Sequence, residues 1–158
     1  MHTKLRVIVA IGVVILASGC NNNSTNPITT LNPGALSATL QDGSDFISST
    51  AKVTNNSSDY VIYATEDQGL PQNEIHVSVP TDATLPFTVD GSNGGDVLYY
   101  DVVSNNSYEA NNAQGSCSIT VTQLSPTFEG TFYARTICTT TSDSVRTLSN
   151  GEFNATYQ

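Results

Sequence analysis

The residues that could do chemistry are few and scattered. Beyond residue 19 the chain holds one histidine, His76, two cysteines besides Cys20, namely Cys117 and Cys138, and no tryptophan. A Ser-His-Asp site needs the imidazole within reach of a nucleophile and an orienting acid. His76 instead alternates with Ile75 and Val77, which puts it with Glu74 and Ser78 on the polar face of a strand. G-x-S-x-G, H-E-x-x-H, phosphate-loop and dinucleotide fingerprints are all absent from the sequence. These residues carry no catalytic constellation, and the expectation is a domain that is not an enzyme; a hydrolase would require a cleft joining His76 to an acid and a nucleophile.

Three groups could bind. Asp90, Ser92, Asn93 and Asp96 crowd the turn Asp90-Gly-Ser-Asn-Gly-Gly-Asp96. Hard cations such as calcium take several oxygens from a tight loop, but the spacing is not that of an EF-hand. The same Gly and Asn density also serves a turn that needs positive φ. Calcium therefore stands as a weak possibility beside the plain turn, with no other cofactor expected. Tyrosines 60, 63, 99, 100 and 108 could stack on sugars, since each ring pairs a large apolar area with a polar tip. The first four lie in the most apolar segments and fit packing better. Tyr108 falls in a polar stretch and is the best exposed candidate for ligand contact. Cys117 and Cys138 form an even pair, and in an oxidising compartment they are expected to make a disulfide, contributing roughly 3 kcal/mol by closing a loop of about 20 residues.

That compartment is inferred from the N-terminus. Lys4 and Arg6 precede an apolar run, Val7 to Leu16, followed by Ala17-Ser-Gly-Cys20. Ten apolar residues are about half of what crosses roughly 30 Å of hydrocarbon, so the run has the length of a secretory signal. Cys20 behind three small residues resembles the modified cysteine of a bacterial lipobox, with Ala17 where leucine is commonest. The resemblance implies removal of residues 1–19 and acylation of Cys20. Two or more acyl chains, at about 0.8 kcal/mol per buried methylene, hold a protein to a bilayer. Asn21 leans the destination toward the outer membrane. Residues 20–34, punctuated by Pro27 and Pro33, read as a flexible tether too polar to fold.

The domain that remains, 35–158, follows a period of two with no helical window. The reading is all-β: an antiparallel sandwich or small barrel of about nine short strands. Leu36, Ala38 and Leu40 form the first, ahead of a turn at Asp42-Gly43. Ile47, Ser49, Ala51 and Val53 share one face of a second. Tyr60–Thr65 and Asp96–Val103 are apolar on both faces, which makes the first central, and Glu74–Val79 turns Ile75, Val77 and Val79 inward before ending at Pro80. Ser104–Gly115 reads as a loop, and Ser149-Asn150-Gly151 as a hairpin turn. Without the signal the chain carries Lys52, Arg135 and Arg146 against fourteen acids, a net charge of −11. That balance offers no footprint for phosphate backbones and argues against nucleic acid.

The segments Ser118-Ile-Thr-Val-Thr, Phe128-Glu-Gly-Thr-Phe and Leu148-Ser-Asn-Gly-Glu-Phe, with Leu36-Ser-Ala-Thr-Leu-Gln-Asp-Gly and Tyr99-Tyr-Asp, resemble a family of small bacterial envelope lipoproteins of unknown function. The resemblance spans most of residues 35–158. It implies a lipid-anchored β-domain of the cell envelope, with a binding or structural role and an unidentified protein or glycan partner. It brings no activity or catalytic residues. The other expectation for function is a carbohydrate-binding or adhesin-type surface module.

Overall fold

The computed structural model describes residues 31–158; the signal segment, Cys20 and most of the tether lie outside the described residues. No helix among the described residues is long and apolar enough to cross a membrane. Eleven strands form: β1 (Ala35–Leu40), β2 (Asp45–Ser48), β3 (Lys52–Asn55), β4 (Asp59–Thr65), β5 (Glu74–Pro80), β6 (Phe87–Asp90), β7 (Asp96–Asp101), β8 (Asn106–Ala110), β9 (Ser116–Gln123), β10 (Phe128–Cys138) and β11 (Val145–Tyr157). One short 3-10 turn, Gly91–Asn93, joins β6 to β7.

The pairings resolve sandwich against barrel by making the molecule some of each. One layer runs β2-β1-β11-β10-β9-β6 and the other β3-β4-β5-β7-β8. They are stitched at two corners. At one, the end of β11 pairs in parallel with β3, Thr156 beside Lys52 and Tyr157 beside Val53. At the other, the end of β10 pairs with β8, Ile137 beside Glu109 and Cys138 beside Tyr108. Seven strands thus close a ring, and β1-β2 and β9-β6 extend one layer beyond it. Closure removes edges that would otherwise expose unpaired backbone. The core is what alternation demands: Ile62 and Ala64, Ile75, Val77 and Val79, Val97 and Tyr99 from one layer meet Leu36, Ile119, Val121, Phe128, Phe132, Leu148 and Phe153 from the other, all buried.

Four sequence expectations change. Ser104–Gly115 is not one loop: Asn106–Ala110 is β8, with Tyr108 and Ala110 turned inward. The expected second strand is two, and its first half has the opposite register. Phe46 and Ser48 are buried while Ile47 is 54% exposed; the break at Ser49-Thr50 restores Ala51 and Val53 to the core. A one-residue slip moves every side chain to the other face, and the extra residue here does so locally. Ser149-Asn150-Gly151 is a bulge inside continuous β11, not a hairpin. Phe132 pairs with Gly151 and Ala134 with Leu148, so Ser149 and Asn150 oppose Tyr133 alone. Asn150 takes φ +50°, a left-handed conformation that Asn tolerates better than most residues. Gly151 has no room for a side chain: a Cβ there would lie 2.6 Å from the Phe132 ring. Finally, the end of the tether is docked. Leu31 O accepts from Asn154 Nδ2 at 2.8 Å, and Gly34 N donates to Asn154 O at 2.7 Å.

Candidate functional site

The strands converge differently at the two ends of the ring. Tyr60 of β4 crosses to Phe128 of β10, ring centroids 5.0 Å apart, and Phe128 stacks on Phe153 at 5.8 Å. The Tyr157 hydroxyl donates to Leu124 O on the same side. This end is filled with rings. At the opposite end lies a cavity of about 500 Å³, floored by Tyr99 and walled by the β1–β2 turn, Glu66, Asn73, Asp101 and Arg146. Its size falls within the range of small-molecule sites.

Each wall is held in place by local chemistry. Gly43, at φ +84°, lets the β1–β2 turn close, with Gly43 N donating to Leu40 O at 2.9 Å. Asp42 Oδ1 accepts from Ser44 N at 2.9 Å and Ser44 Oγ at 2.6 Å, and the Ser44 hydroxyl holds the carboxyl below its usual range. Asn73 braces two segments, donating to Glu66 Oε2 at 2.8 Å and accepting from Val102 N at 3.2 Å. Asp101 Oδ1 accepts from Ser104 N at 3.1 Å, and Asp101 Oδ2 lies 3.9 Å from Arg146 Nη2. The Arg146 guanidinium also sits 5.3 Å above the Tyr108 ring, a cation–π geometry.

Tyr99 is the unusual member. It is 5% exposed, lines the cavity, and its hydroxyl has no hydrogen-bond partner among the described residues, whereas buried tyrosine hydroxyls ordinarily find one. Burial, and then the negative charges of Asp101 and Glu66, push its ionisation up to about 12. The phenol stays neutral and available to bond.

The residues singled out from sequence are placed as follows. Tyr108 is buried at 2% exposure, not exposed; it supports Arg146 from beneath, with its hydroxyl 3.4 Å from Ser144 Oγ. The expected Cys117–Cys138 disulfide is corrected: both are free, buried thiols. The β9–β10 register explains why. Cys117 faces Ala134, and Cys138 lies four residues farther along β10, roughly 13 Å at about 3.3 Å per residue, where a disulfide needs Cα atoms within about 7 Å. Burial pushes the Cys117 thiol up to about 11. The Thr140 hydroxyl, 3.3 Å from Cys138 Sγ, leads the hydrogen bonds that draw that thiol down to about 7 against the opposing effect of burial.

The acidic turn spends its oxygens on itself. Asp90 Oδ1 accepts from Ser92 N at 2.8 Å and Ser92 Oγ at 2.6 Å, while Asn93 Oδ1 accepts from Asp90 N at 2.6 Å. Together these bonds cap the 3-10 turn. Asp96 opens β7 beside Ser78 instead of joining them. Its Oδ1 is buried without a partner, and burial, then Glu109, raises its ionisation. No three His, Cys, Asp or Glu side chains among the described residues gather as a metal site would require. His76 sits half-buried on the outer face of β5, its Nε2 3.3 Å from Glu74 Oε2 and its ring edge-on to Tyr63 at 4.6 Å.

Sequence reasoning missed Glu66, Asn73, Asp101 and Arg146. One signal was available: Arg146 is one of three cations in the chain after residue 19, placed near the start of an otherwise mostly uncharged strand. No family model, curated protein or solved structure matches the chain.

Proposed function

We propose that this is a lipid-anchored protein of the bacterial cell envelope whose β-domain binds a small ligand at the open end of the ring, without doing chemistry on it. One observation carries the binding role: Tyr99, 95% buried, presents an unpartnered hydroxyl to a cavity of about 500 Å³. Phenylalanine would give the cavity the same apolar floor; tyrosine adds a hydroxyl that a ligand can meet. The anchor rests on the cationic start, the ten-residue apolar run and Cys20, and the resemblance to small envelope lipoproteins supports the same reading. The outer membrane is the proposed destination.

The anchor is tested by intact mass of the protein extracted from membranes. Loss of residues 1–19 with gain of acyl chains is expected; an unacylated mass, or one retaining the signal, would contradict it. The binding role is tested by thermal shift against small envelope metabolites, where a ligand that binds the folded state alone raises the midpoint.

A second reading, a glycan-binding outer face, draws on Tyr63. It is 40% exposed and packed against His76 of β5, which pairs with Glu74 on the same face. Substituting Tyr63 by alanine would abolish glycan retention under that reading and leave ligand binding in the cavity untouched.

A further inference from the structure

We propose that the open-end cavity takes a small organic cation, a ligand carrying a protonated amine or guanidine group. The inference rests on the reading of the cavity as a binding site and adds the chemistry of what enters it.

The charges around the cavity do not balance. Asp42, Glu66 and Asp101 line it against a single cation, Arg146. Arg146 is already engaged by Asp101 at 3.9 Å and by the Tyr108 ring. Asp42 and Glu66 therefore face the cavity without an ion-pair partner among the described residues. Their hydrogen bonds from Ser44 and Asn73 come from neutral donors, which add no positive charge to offset them. An anionic ligand would meet three carboxylates to reach one committed guanidinium. A bare metal ion would need its ligands gathered around one point, and these carboxylates are not so gathered. A cation spread over an organic frame can donate to Glu66 or Asp42 with its charged end and reach the unpartnered Tyr99 hydroxyl with another polar atom. The Tyr99 ring offers that frame an apolar floor. The strongly acidic domain adds a long-range field that concentrates cations at the mouth.

The test is equilibrium dialysis of the purified full-length chain against labelled 1,4-diaminobutane and its neutral isostere 1,4-butanediol, with glucose and acetate as further probes. The diamine is expected to bind about tenfold or more tightly than the diol, as hydrogen bonds to charged groups require, and to weaken as salt is added. Glu66→Gln and, separately, Asp42→Asn should each weaken the diamine several-fold and leave the diol unchanged; two variants guard against one that folds poorly. Equal binding of the diol, or preferential binding of glucose or acetate, would overturn the cationic ligand while leaving the cavity a binding site. Retention of none of the probes would overturn both readings.

Discussion

The two ends of the ring are built from the same strands and similar residue types, yet they are finished in opposite ways. At one end Tyr60, Phe128 and Phe153 pack ring against ring, and Tyr157 spends its hydroxyl on a backbone carbonyl. At the other, Tyr99 and Tyr108 lie 6.1 Å apart beside a cavity, and the Tyr99 hydroxyl bonds to no other described residue. The difference lies in what surrounds the rings. Apolar neighbours at the first end let aromatic area do all the stabilising. Carboxylates and one arginine at the second hold the walls apart and keep a polar floor. Aromatic residues close one end and furnish the other.

The comparison is most exposed to a deletion at the sealed end. Phe128→Ala removes a side chain that is fully buried between Tyr60 and Phe153, and should cost about 3–5 kcal/mol in urea unfolding. A loss below about 1 kcal/mol would mean that this end is not the plug described. At the open end the matching change should act in the other direction. Tyr99→Phe removes a hydroxyl without a partner, so stability should hold or rise by up to about 1 kcal/mol while ligand affinity falls. A substantial loss of stability would show that the hydroxyl has a structural partner.

Asp96 is the exception in the half of the molecule toward the sealed end, a partly buried carboxyl with an unmet oxygen. Its ionisation is raised by burial and by Glu109. The folded state then holds a proton longer than the unfolded one, so stability falls as pH rises from the ordinary Asp value of 3.8 through the raised one. The penalty is fully present at neutral pH. Asp96→Asn should flatten that slope and raise stability at pH 7 by about 0.5 kcal/mol, a small figure because the group is partly solvated. Comparing urea midpoints at pH 4 and pH 7 checks it.

The smallest expected effect is none. Cys117 on β9 and Cys138 on β10 are free and far apart, so the thermal midpoint should be the same with and without reductant. A drop on reduction would require a different β9–β10 register and would undo the placement of both ends.

Much of the architecture was legible in the sequence because alternation reports directly on which face is buried. Ile75, Val77 and Val79, and likewise Cys117, Ile119 and Val121, lie inward as their spacing predicts. The pattern fails where one residue is added. Ile47 and the Asn150-Gly151 bulge read as ordinary strand and turn, because a local shift of register leaves no mark in composition. Polar content misled at β8, where closing the ring against β10 stabilises a strand whose own sequence, Asn-Ser-Tyr-Glu-Ala, would not propose one. The cavity was illegible for a related reason. Asp42, Glu66, Asp101 and Arg146 come from four distant parts of the chain, and only the closure of the ring brings them to one rim. An even cysteine count was equally blind to geometry, since pairing depends on a register that composition does not carry.

The most direct test of the division between a sealed and a binding end is a backbone amide NMR titration of the full-length chain with 1,4-diaminobutane. The account predicts saturable shifts confined to the rim: Leu40–Ser44, Glu66, Asn73, Tyr99–Val103 and Arg146–Thr147. Shifts centred on Tyr60, Phe128 and Tyr157, or on the outer face around Tyr63 and His76, would contradict it.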